Sequence, residues 1–370
     1  MPRWSARDTS LLSDDAYQDY ILEGVSRTFA LTIPQLPPAL YRCVGNAYLL
    51  CRIADTIEDD PDLAADGKSE FSKRFIAVVA GSAPADSFAR DLLAALSPSA
   101  EAGEHDLIRN LPRVVRVTHG LSPAAQRALR RCVKIMATGM AIFQRRRDAR
   151  GLADMAELDR YCYHVAGVVG EMLTELYAEA VPAIRSRREE MLSLAVSFGQ
   201  GLQMTNILKD IWTDLSRGVC WLPYSTLQKH GVALQDMASG PHDARFGDAL
   251  AELIGIAHGH LRNAFRYTLM IPPQEQGLRR FCLWALGMAI LTLRKIDRQR
   301  DFRQAGVVKI SRTSVRSVIA LTAIAGSHDR LLAALFRLAT RGLPEPSLPV
   351  SICREPLTDA SDPVAYRLAG

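Results

Sequence analysis

The stretch "NAYLLCRIADTIEDD", Asn46 to Asp60, decides the fold class, because its apolar residues recur at three- and four-residue spacing. This period predicts a helix with one buried face. Asp55 and Asp59 are four residues apart, so they share one face of that helix and repel each other unless a cation intervenes. Glu58 borders the same face, and Asp60 turns away. The stretch is therefore either a solvated helix end or one wall of a cation site.

A second polar stripe runs through "LQMTNILKDIWTDL", Leu202 to Leu215, which is otherwise an apolar helix. Asn206, Asp210 and Asp214 follow one another at intervals of four residues. Carboxylate and amide oxygens, without histidine or cysteine at ligand spacing, suit a hard cation such as Mg²⁺. If the two helices face each other, they define a cavity with carboxylates on opposing walls.

Basic residues accompany both stripes: Arg52 before the first, Lys209 within the second and Arg217 just after it. Mg²⁺ usually completes its coordination shell with substrate phosphate, and arginine and lysine bind phosphate oxygens. Acids that hold a metal, next to cations that meet phosphate, indicate a diphosphate substrate.

The rest of the chain has the same helical period, and no convincing alternating strand or hairpin signal interrupts it. We therefore predict an all-α protein with a single large helical domain over residues 17–342. An N-terminal arm, 1–16, precedes it, and a proline-rich tail, 343–370, follows and is expected to pack loosely or to be disordered. In "SPAAQRALR", Ser122 is the predicted N-cap of a helix.

Composition excludes several classes of protein. The net charge of +5 on 370 residues is too small to indicate nucleic-acid binding. Seven scattered cysteines without a CxxC pair predict neither a zinc framework nor a disulfide scaffold, and they indicate the cytoplasm. No apolar run is long enough for a membrane span. Peripheral contact with a membrane stays open, and nothing indicates the oligomeric state.

Four segments together resemble the squalene and phytoene synthases, which are head-to-head prenyltransferases with the all-α isoprenoid-synthase fold and a central cavity. They are "SRTFALTIPQLP" (26–37), "DTIED" (55–59), "DRYCYHVAGVVGEML" (159–173) and "QMTNILKDIWTDLSRGVCWLP" (203–223). The likeness runs in order from about residue 17 to about residue 325. Lys209 is a departure, because many relatives have arginine there, and lysine lacks the bidentate fork.

The resemblance implies a role for each matching residue. The implied metal ligands are Asp55, Asp59, Asn206, Asp210 and Asp214, whose four aspartates also count as catalytic. The implied substrate-binding residues are Ser26, Arg27, Phe29, Tyr48, Arg52, Gln203, Lys209 and Arg217. Phe29 would line a prenyl channel, and Tyr161 would lie near the reacting carbons as a catalytic residue.

The resemblance also implies the reaction. Two farnesyl diphosphates are joined 1-1′ through presqualene diphosphate with Mg²⁺, for which Mn²⁺ can substitute, and NADPH then reduces the intermediate to squalene, a precursor in isoprenoid biosynthesis. "GVVKISRTSVRSVIA" (306–320) is similar to the flap of squalene synthases, where Lys309 and Arg312 would meet NADPH phosphates. Three alternatives stay open: a phytoene, dehydrosqualene or presqualene diphosphate synthase without the reduction, a non-catalytic helical scaffold, and a hydrolase that uses the same metals on a soluble diphosphate.

Overall fold

The computed structural model describes residues 8–26, 28–145, 149–234 and 244–354, and these confirm the predicted all-α fold class. Within these ranges no strand occurs, and one isolated bridge joins Leu152 to Pro223. A 3₁₀ turn covers Ile33–Gln35 and a π-helical turn covers Tyr163–Gly167. The helices are α1 (Asp14–Val25), α2 (Phe29–Thr32), α3 (Pro38–Asp59), α4 (Ala65–Ala80), α5 (Ala85–Ala95), α6 (Ala102–Arg109), α7 (Leu111–His119), α8 (Pro123–Arg145), α9 (Met155–Cys162), α10 (Val168–Ala180), α11 (Pro182–Arg185), α12 (Arg188–Ser216), α13 (Tyr224–Lys229), α14 (Ala244–Met270), α15 (Gln276–Arg298), α16 (Ala305–Val308), α17 (Arg312–Ala325) and α18 (Asp329–Thr340).

Helix starts follow the signals in the sequence. The Ser122 hydroxyl accepts a hydrogen bond of 3.1 Å from the backbone N–H of Ala125, and α8 begins at Pro123, as predicted. Helix α3 also has proline in its first turn, where the missing N–H costs nothing. Among the described helices, none combines the length and the apolar character needed to cross a membrane.

The described residues form two compact units. The first comprises residues 8–26, 28–145 and 172–186, and the second comprises 149–171, 187–234 and 244–354. The single domain over 17–342 and the central cavity stay predictions.

Helix α3 lies at the centre of the first unit, where α1, α4, α6, α7 and α8 pack against it. Its apolar positions are buried, and the side chain of Asn46 is fully buried among them. That amide donates to the Gln18 side chain at 2.7 Å and to the Val114 carbonyl at 2.9 Å, and it accepts from the Thr118 hydroxyl at 2.7 Å. Since its partners come from α1 and α7, Asn46 aligns three helices of this core.

Helix α12 is the corresponding element of the second unit, and α14, α15 and the π-helical turn pack against it. The turn approaches so closely that a Cβ added at Gly199 would lie 2.2 Å from the Ala166 carbonyl oxygen. Only glycine fits such an approach, which explains Gly199 in the middle of a long helix.

Residues 343–354 of the C-terminal tail contact α14 at several points, and the loosely packed or disordered tail over 343–370 stays a prediction. The Pro344 carbonyl accepts a hydrogen bond of 2.9 Å from Nδ1 of His258, and Glu345 forms an ion pair with Arg262. A Cβ at Gly259 would lie 2.6 Å from the Val350 side chain. Gly255 and Gly259 on α14 leave room for this extended segment. Its contacts do not depend on a helical spacing of apolar residues. Residues 355–370 lie outside the described residues.

Replacing Gly199 with alanine is expected to destabilise the second unit, because the new methyl group meets backbone rather than a flexible side chain. Overpacking of this kind costs about 1–3 kcal/mol, and the melting temperature should fall by several degrees. The control is Gly306→Ala, where a Cβ meets nothing within 4 Å. Equal melting temperatures for the two variants would contradict the close approach of α12 to the π-helical turn.

Candidate active site

Four of the predicted site residues form one face of α3. Tyr48, Arg52, Asp55 and Asp59 follow at intervals of four, three and four residues, so their side chains share one side of the helix. Asp55 is partly buried and Asp59 is exposed. Neither carboxylate accepts a hydrogen bond from any residue that the structure describes.

The segment before α2 lies against the N-terminal part of this face. The rings of Phe29 and Tyr48 are 4.9 Å apart between centroids, and the Tyr48 hydroxyl donates to the Val25 carbonyl at 3.1 Å. The Ser26 hydroxyl accepts a hydrogen bond of 2.9 Å from the backbone N–H of Phe29. Ser26, Phe29 and Tyr48 thus lie close together, whereas Arg27 lies outside the described residues.

Arg52 is held in place by a residue that the sequence did not indicate. Its Nη2 forms an ion pair with Glu104 of α6, whose other carboxylate oxygen accepts a hydrogen bond of 3.0 Å from the Glu101 backbone N–H. The Nε of Arg52 is buried and has no partner among the described residues. The guanidinium is therefore fixed in direction, and its buried Nε–H lacks an acceptor among the described residues.

The two remaining acids at the end of α3 are engaged in the fold. The Glu58 carboxylate accepts a hydrogen bond of 3.0 Å from the Gln144 side chain, and the buried ammonium of Lys68 donates to the Glu58 carbonyl. Asp60 accepts from the backbone N–H of Ser97 at 2.8 Å and from two N–H groups of its own turn. Asp60 thus caps the turn after α3, and Glu58 lies among structural contacts.

Burial shapes the electrostatics of this helix end. The pKa of Asp55 is raised to about 7, mainly by desolvation and next by the neighbouring Asp59 carboxylate, against the opposing effect of Arg52. Desolvation, followed by Asp59, also raises the pKa of Glu58 to about 8. The site therefore disfavours negative charge unless a cation joins it.

In the second unit, the predicted polar stripe lies along the last turns of α12. Asn206 and Thr213 are exposed, and Asp210 is partly exposed. The Lys209 ammonium lies 3.1 Å from the Asp210 carboxylate and donates to the Asn206 side chain at 3.4 Å. A lysine inside the stripe thus offsets part of its charge.

The other predicted residues of this stretch keep to the same end of α12. Gln203 lies one turn before Asn206, and Asp214 lies in the last turn of the helix. Arg217 is the C-cap and is exposed.

Tyr161 lies on α9, immediately before the π-helical turn. It is 5% exposed, and its ring stacks on that of Trp221 with centroids 4.1 Å apart and planes 8° apart. Within the turn, the buried Nδ1 of His164 donates to the Arg160 carbonyl at 2.7 Å, so His164 is a structural histidine. π-Helical turns often occur at functional sites, where they shift a side chain out of the regular register.

Lys309 and Arg312 lie between α16 and the first turn of α17. Both side chains are exposed, and neither forms an ion pair with a residue that the structure describes. The Lys309 carbonyl accepts a hydrogen bond of 2.7 Å from the Lys295 ammonium, and α16 packs on α12. Two cations are thus presented on a short segment that the fold holds against the helix bearing the second stripe.

The donor chemistry of both stripes suits a hard divalent cation. No group of three or more His, Cys, Asp or Glu side chains at ligand distance occurs in the described part of the chain. Asp55 and Asp59 nevertheless fit such an ion, because a cation relieves their mutual repulsion and the burial cost of Asp55. Mg²⁺ keeps several waters and substrate oxygens in its coordination shell, so two carboxylates from one helix are enough protein ligands for one ion.

Asp55→Asn is expected to stabilise the metal-free protein at pH 8. The native state keeps the Asp55 proton up to about pH 7, whereas the unfolded chain releases it near pH 4, so native stability falls as pH rises between these values. Removing the charge should raise the melting temperature by about 2–4 °C, on the order of 1 kcal/mol.

The advantage of that variant should vanish at pH 4, because the carboxyl group is then neutral in the native protein. The measurement is thermal unfolding in chelator at both pH values, with the exposed Asp62→Asn as control. A variant that melts below the original protein at pH 8 would contradict the assigned repulsion.

The sequence matches the model of the squalene/phytoene synthase family over residues 22–314. Among curated proteins, it is 29% identical over 297 residues to squalene synthase ERG9 of Saccharomyces cerevisiae, covering 78% of this chain and 62% of that protein. It is 28% identical over 312 residues to squalene synthase ERG9 of Candida albicans, with 81% and 65% covered. The chain thus spans less than two thirds of the length of these relatives.

Two solved structures show the same fold. The structure of TcSQS with the ligand E5700 has a TM-score of 0.72 at 24% identity and covers 88% of this chain and 90% of that one. A dehydrosqualene synthase in complex with ligand has a TM-score of 0.64 at 21% identity, with 87% and 96% covered. The family match spans both stripes, the Tyr161 segment and the isoprenoid-synthase architecture. The chain belongs to the squalene/phytoene synthase family.

Proposed function

We propose that this protein is a squalene synthase, a prenyltransferase that joins two farnesyl diphosphates 1-1′ through presqualene diphosphate and reduces the product with NADPH. Its relatives include proteins named squalene synthase. The observation that carries the proposal is the division of labour at the end of α3. Glu58 and Asp60 are engaged in the fold, while Asp55 and Asp59 remain on one face without a hydrogen bond in the described structure.

Arg52 and Lys209 are proposed to act on diphosphate oxygens, and Glu104 supports Arg52. Arg52 presents its buried Nε toward an anion because Glu104 fixes its other end. A Mg²⁺ ion bound by Asp210 and Asn206 would displace the Lys209 ammonium from these two side chains. The ammonium would then be available to bind phosphate. Mg²⁺ held by Asp55 and Asp59, or by the stripe of α12, would neutralise charge that develops on a departing diphosphate.

Tyr161 is proposed to act at the carbon skeleton. Departure of diphosphate leaves an allylic carbocation, which survives only where water is excluded. The Tyr161 ring is nearly buried and fixed by Trp221, so one ring face is held in place to stabilise positive charge. Phe29 supplies apolar surface beside Tyr48 for a prenyl chain. We assign no general base.

Lys309 and Arg312 are proposed to bind the phosphates of NADPH. No strand in the described residues offers a dinucleotide-binding βαβ unit, so the cofactor requires another cationic site. The exposed side chains of Lys309 and Arg312 provide the required positive charge. NADPH is available in the cytoplasm, which is the proposed location of the protein.

The decisive experiment incubates the protein with Mg²⁺ and farnesyl diphosphate, with and without NADPH, and identifies the hydrocarbon and diphosphate products. Squalene that forms only with NADPH is expected. Presqualene diphosphate or dehydrosqualene as the end product, or phytoene from geranylgeranyl diphosphate, would assign a sister activity. No coupling under any condition would favour the scaffold alternative.

Asp55→Asn and Asp210→Asn are each expected to reduce kcat/KM by about 100-fold or more, because each removes a metal-binding carboxylate. The matched control is Asp60→Asn in the same acidic run. Because the Ser97 N–H loses its acceptor, this variant should lose about 1–3 kcal/mol of unfolding free energy and melt at a lower temperature. The Mg²⁺ dependence of its activity should not change. Equal loss in all three variants would contradict the division between metal-binding and structural acids.

The double variant Lys309→Gln/Arg312→Gln is expected to raise KM for NADPH about tenfold or more, since two charge-assisted contacts are lost. Formation of presqualene diphosphate without NADPH should not change. The exposed Arg298→Gln serves as the control. If both half-reactions slow equally, these residues serve the first condensation or the fold instead.

A further inference from the structure

The hairpin made by α17 and α18, residues 312–341, is the part of the described surface with the most concentrated exposed apolar area. Four of the nine large apolar side chains that are exposed in the described residues lie on it: Leu321 (49%), Ile324 (70%), Leu331 (42%) and Leu338 (65%). Leu321 and Ile324 are three residues apart on α17, and Leu331 and Leu338 are seven apart on α18. Each pair therefore shares one side of its helix.

The same hairpin is strongly cationic. It contains five exposed arginines and one acid, and the arginines are Arg312, Arg316, Arg330, Arg337 and Arg341. None of the five forms an ion pair with a described residue. The single acid, Asp329, is already paired at 2.6 Å with the fully buried Arg279. Most of the formal net charge of the chain is thus concentrated beside the exposed leucines and isoleucine.

The opposite side of the hairpin is fixed to the core of the second unit. Arg279 also donates to the Gly326 carbonyl in the connecting turn at 3.0 Å, and the Trp284 indole donates to the Thr322 hydroxyl at 2.9 Å. Phe336 stacks on Phe265 with ring centroids 4.3 Å apart. The exposed apolar residues therefore belong to ordered helices whose inner faces are already occupied.

We propose that this hairpin rests on an anionic lipid bilayer, with Leu321, Ile324, Leu331 and Leu338 inserted at the headgroup boundary and Arg316, Arg330, Arg337 and Arg341 on lipid phosphates. Helices with apolar and basic residues side by side bind such interfaces. A second copy of the chain is a poor occupant, since five arginines would meet five arginines. The contact deepens the proposed function, because the substrate carries prenyl chains and squalene is a hydrocarbon.

Vesicle co-sedimentation tests the proposal on the full chain and requires no turnover, so it stands or falls separately from the squalene synthase activity. The protein is expected to bind phosphatidylglycerol-containing vesicles, to bind pure phosphatidylcholine vesicles at least tenfold more weakly, and to lose affinity as salt rises. Ile324→Ser/Leu338→Ser and Arg330→Gln/Arg337→Gln should each weaken binding at least tenfold.

Matched controls alter residues of the same kind elsewhere. Leu11→Ser/Leu348→Ser removes two exposed leucines outside the hairpin, and Arg90→Gln/Arg109→Gln removes two exposed arginines of the first unit. Both should bind vesicles like the original protein, and all variants should keep its melting temperature within a few degrees.

Three results would overturn the proposal. The first is no preference for anionic vesicles, and the second is equal loss of binding in the hairpin and control variants. The third is a protein that binds polyglutamate as tightly as vesicles and does not respond to Ile324→Ser/Leu338→Ser. That result would assign the hairpin to an acidic protein partner.

Discussion

The repulsion between Asp55 and Asp59 is the constraint on which the rest of the first unit depends. Two carboxylates one helical turn apart, one of them partly buried, destabilise a metal-free helix. The fold tolerates them because the rest of the helix end is firmly held. Lys68 caps the Glu58 carbonyl, Gln144 binds the Glu58 carboxylate, and the turn that follows closes around Asp60. Stability is therefore provided next to the site rather than in it.

In the second unit, the segment that carries Tyr161 is positioned against α12, the helix that bears the polar stripe. Backbone contact between α12 and the π-helical turn, made possible by Gly199, positions the segment that carries Tyr161. Trp221, which follows α12 in the chain, completes the support by stacking on that ring. The polar stripe of α12 and Tyr161 thus depend on the same short stretch of chain.

The sequence was sufficient for the features that depend on local period and on motifs. Apolar spacing predicted α3 and α12, the interval of four residues predicted which acids share a face, and Ser122 predicted the start of α8. The spacing placed Glu58 at the border of this face and Asp60 off it, but it did not show what holds them, because Gln144 and Ser97 are distant in the chain. Glu104 escaped for the same reason, since nothing near it in sequence marks it as the partner of Arg52. The contacts of residues 343–354 with α14 were not predicted either, because proline content indicates missing helix and carries no information on contacts.

Arg279 has a consequence that extends beyond its local contacts. A fully buried guanidinium that holds both the turn before α15 and the turn between α17 and α18 leaves the hairpin without a hinge at its tip. The hairpin cannot swing outward alone, because doing so would strand a buried charge. A surface that binds the hairpin must therefore also fix the orientation of the second unit relative to that surface. Through Arg279, a contact at the hairpin surface thus also determines how α14 and α15 are oriented relative to that contact.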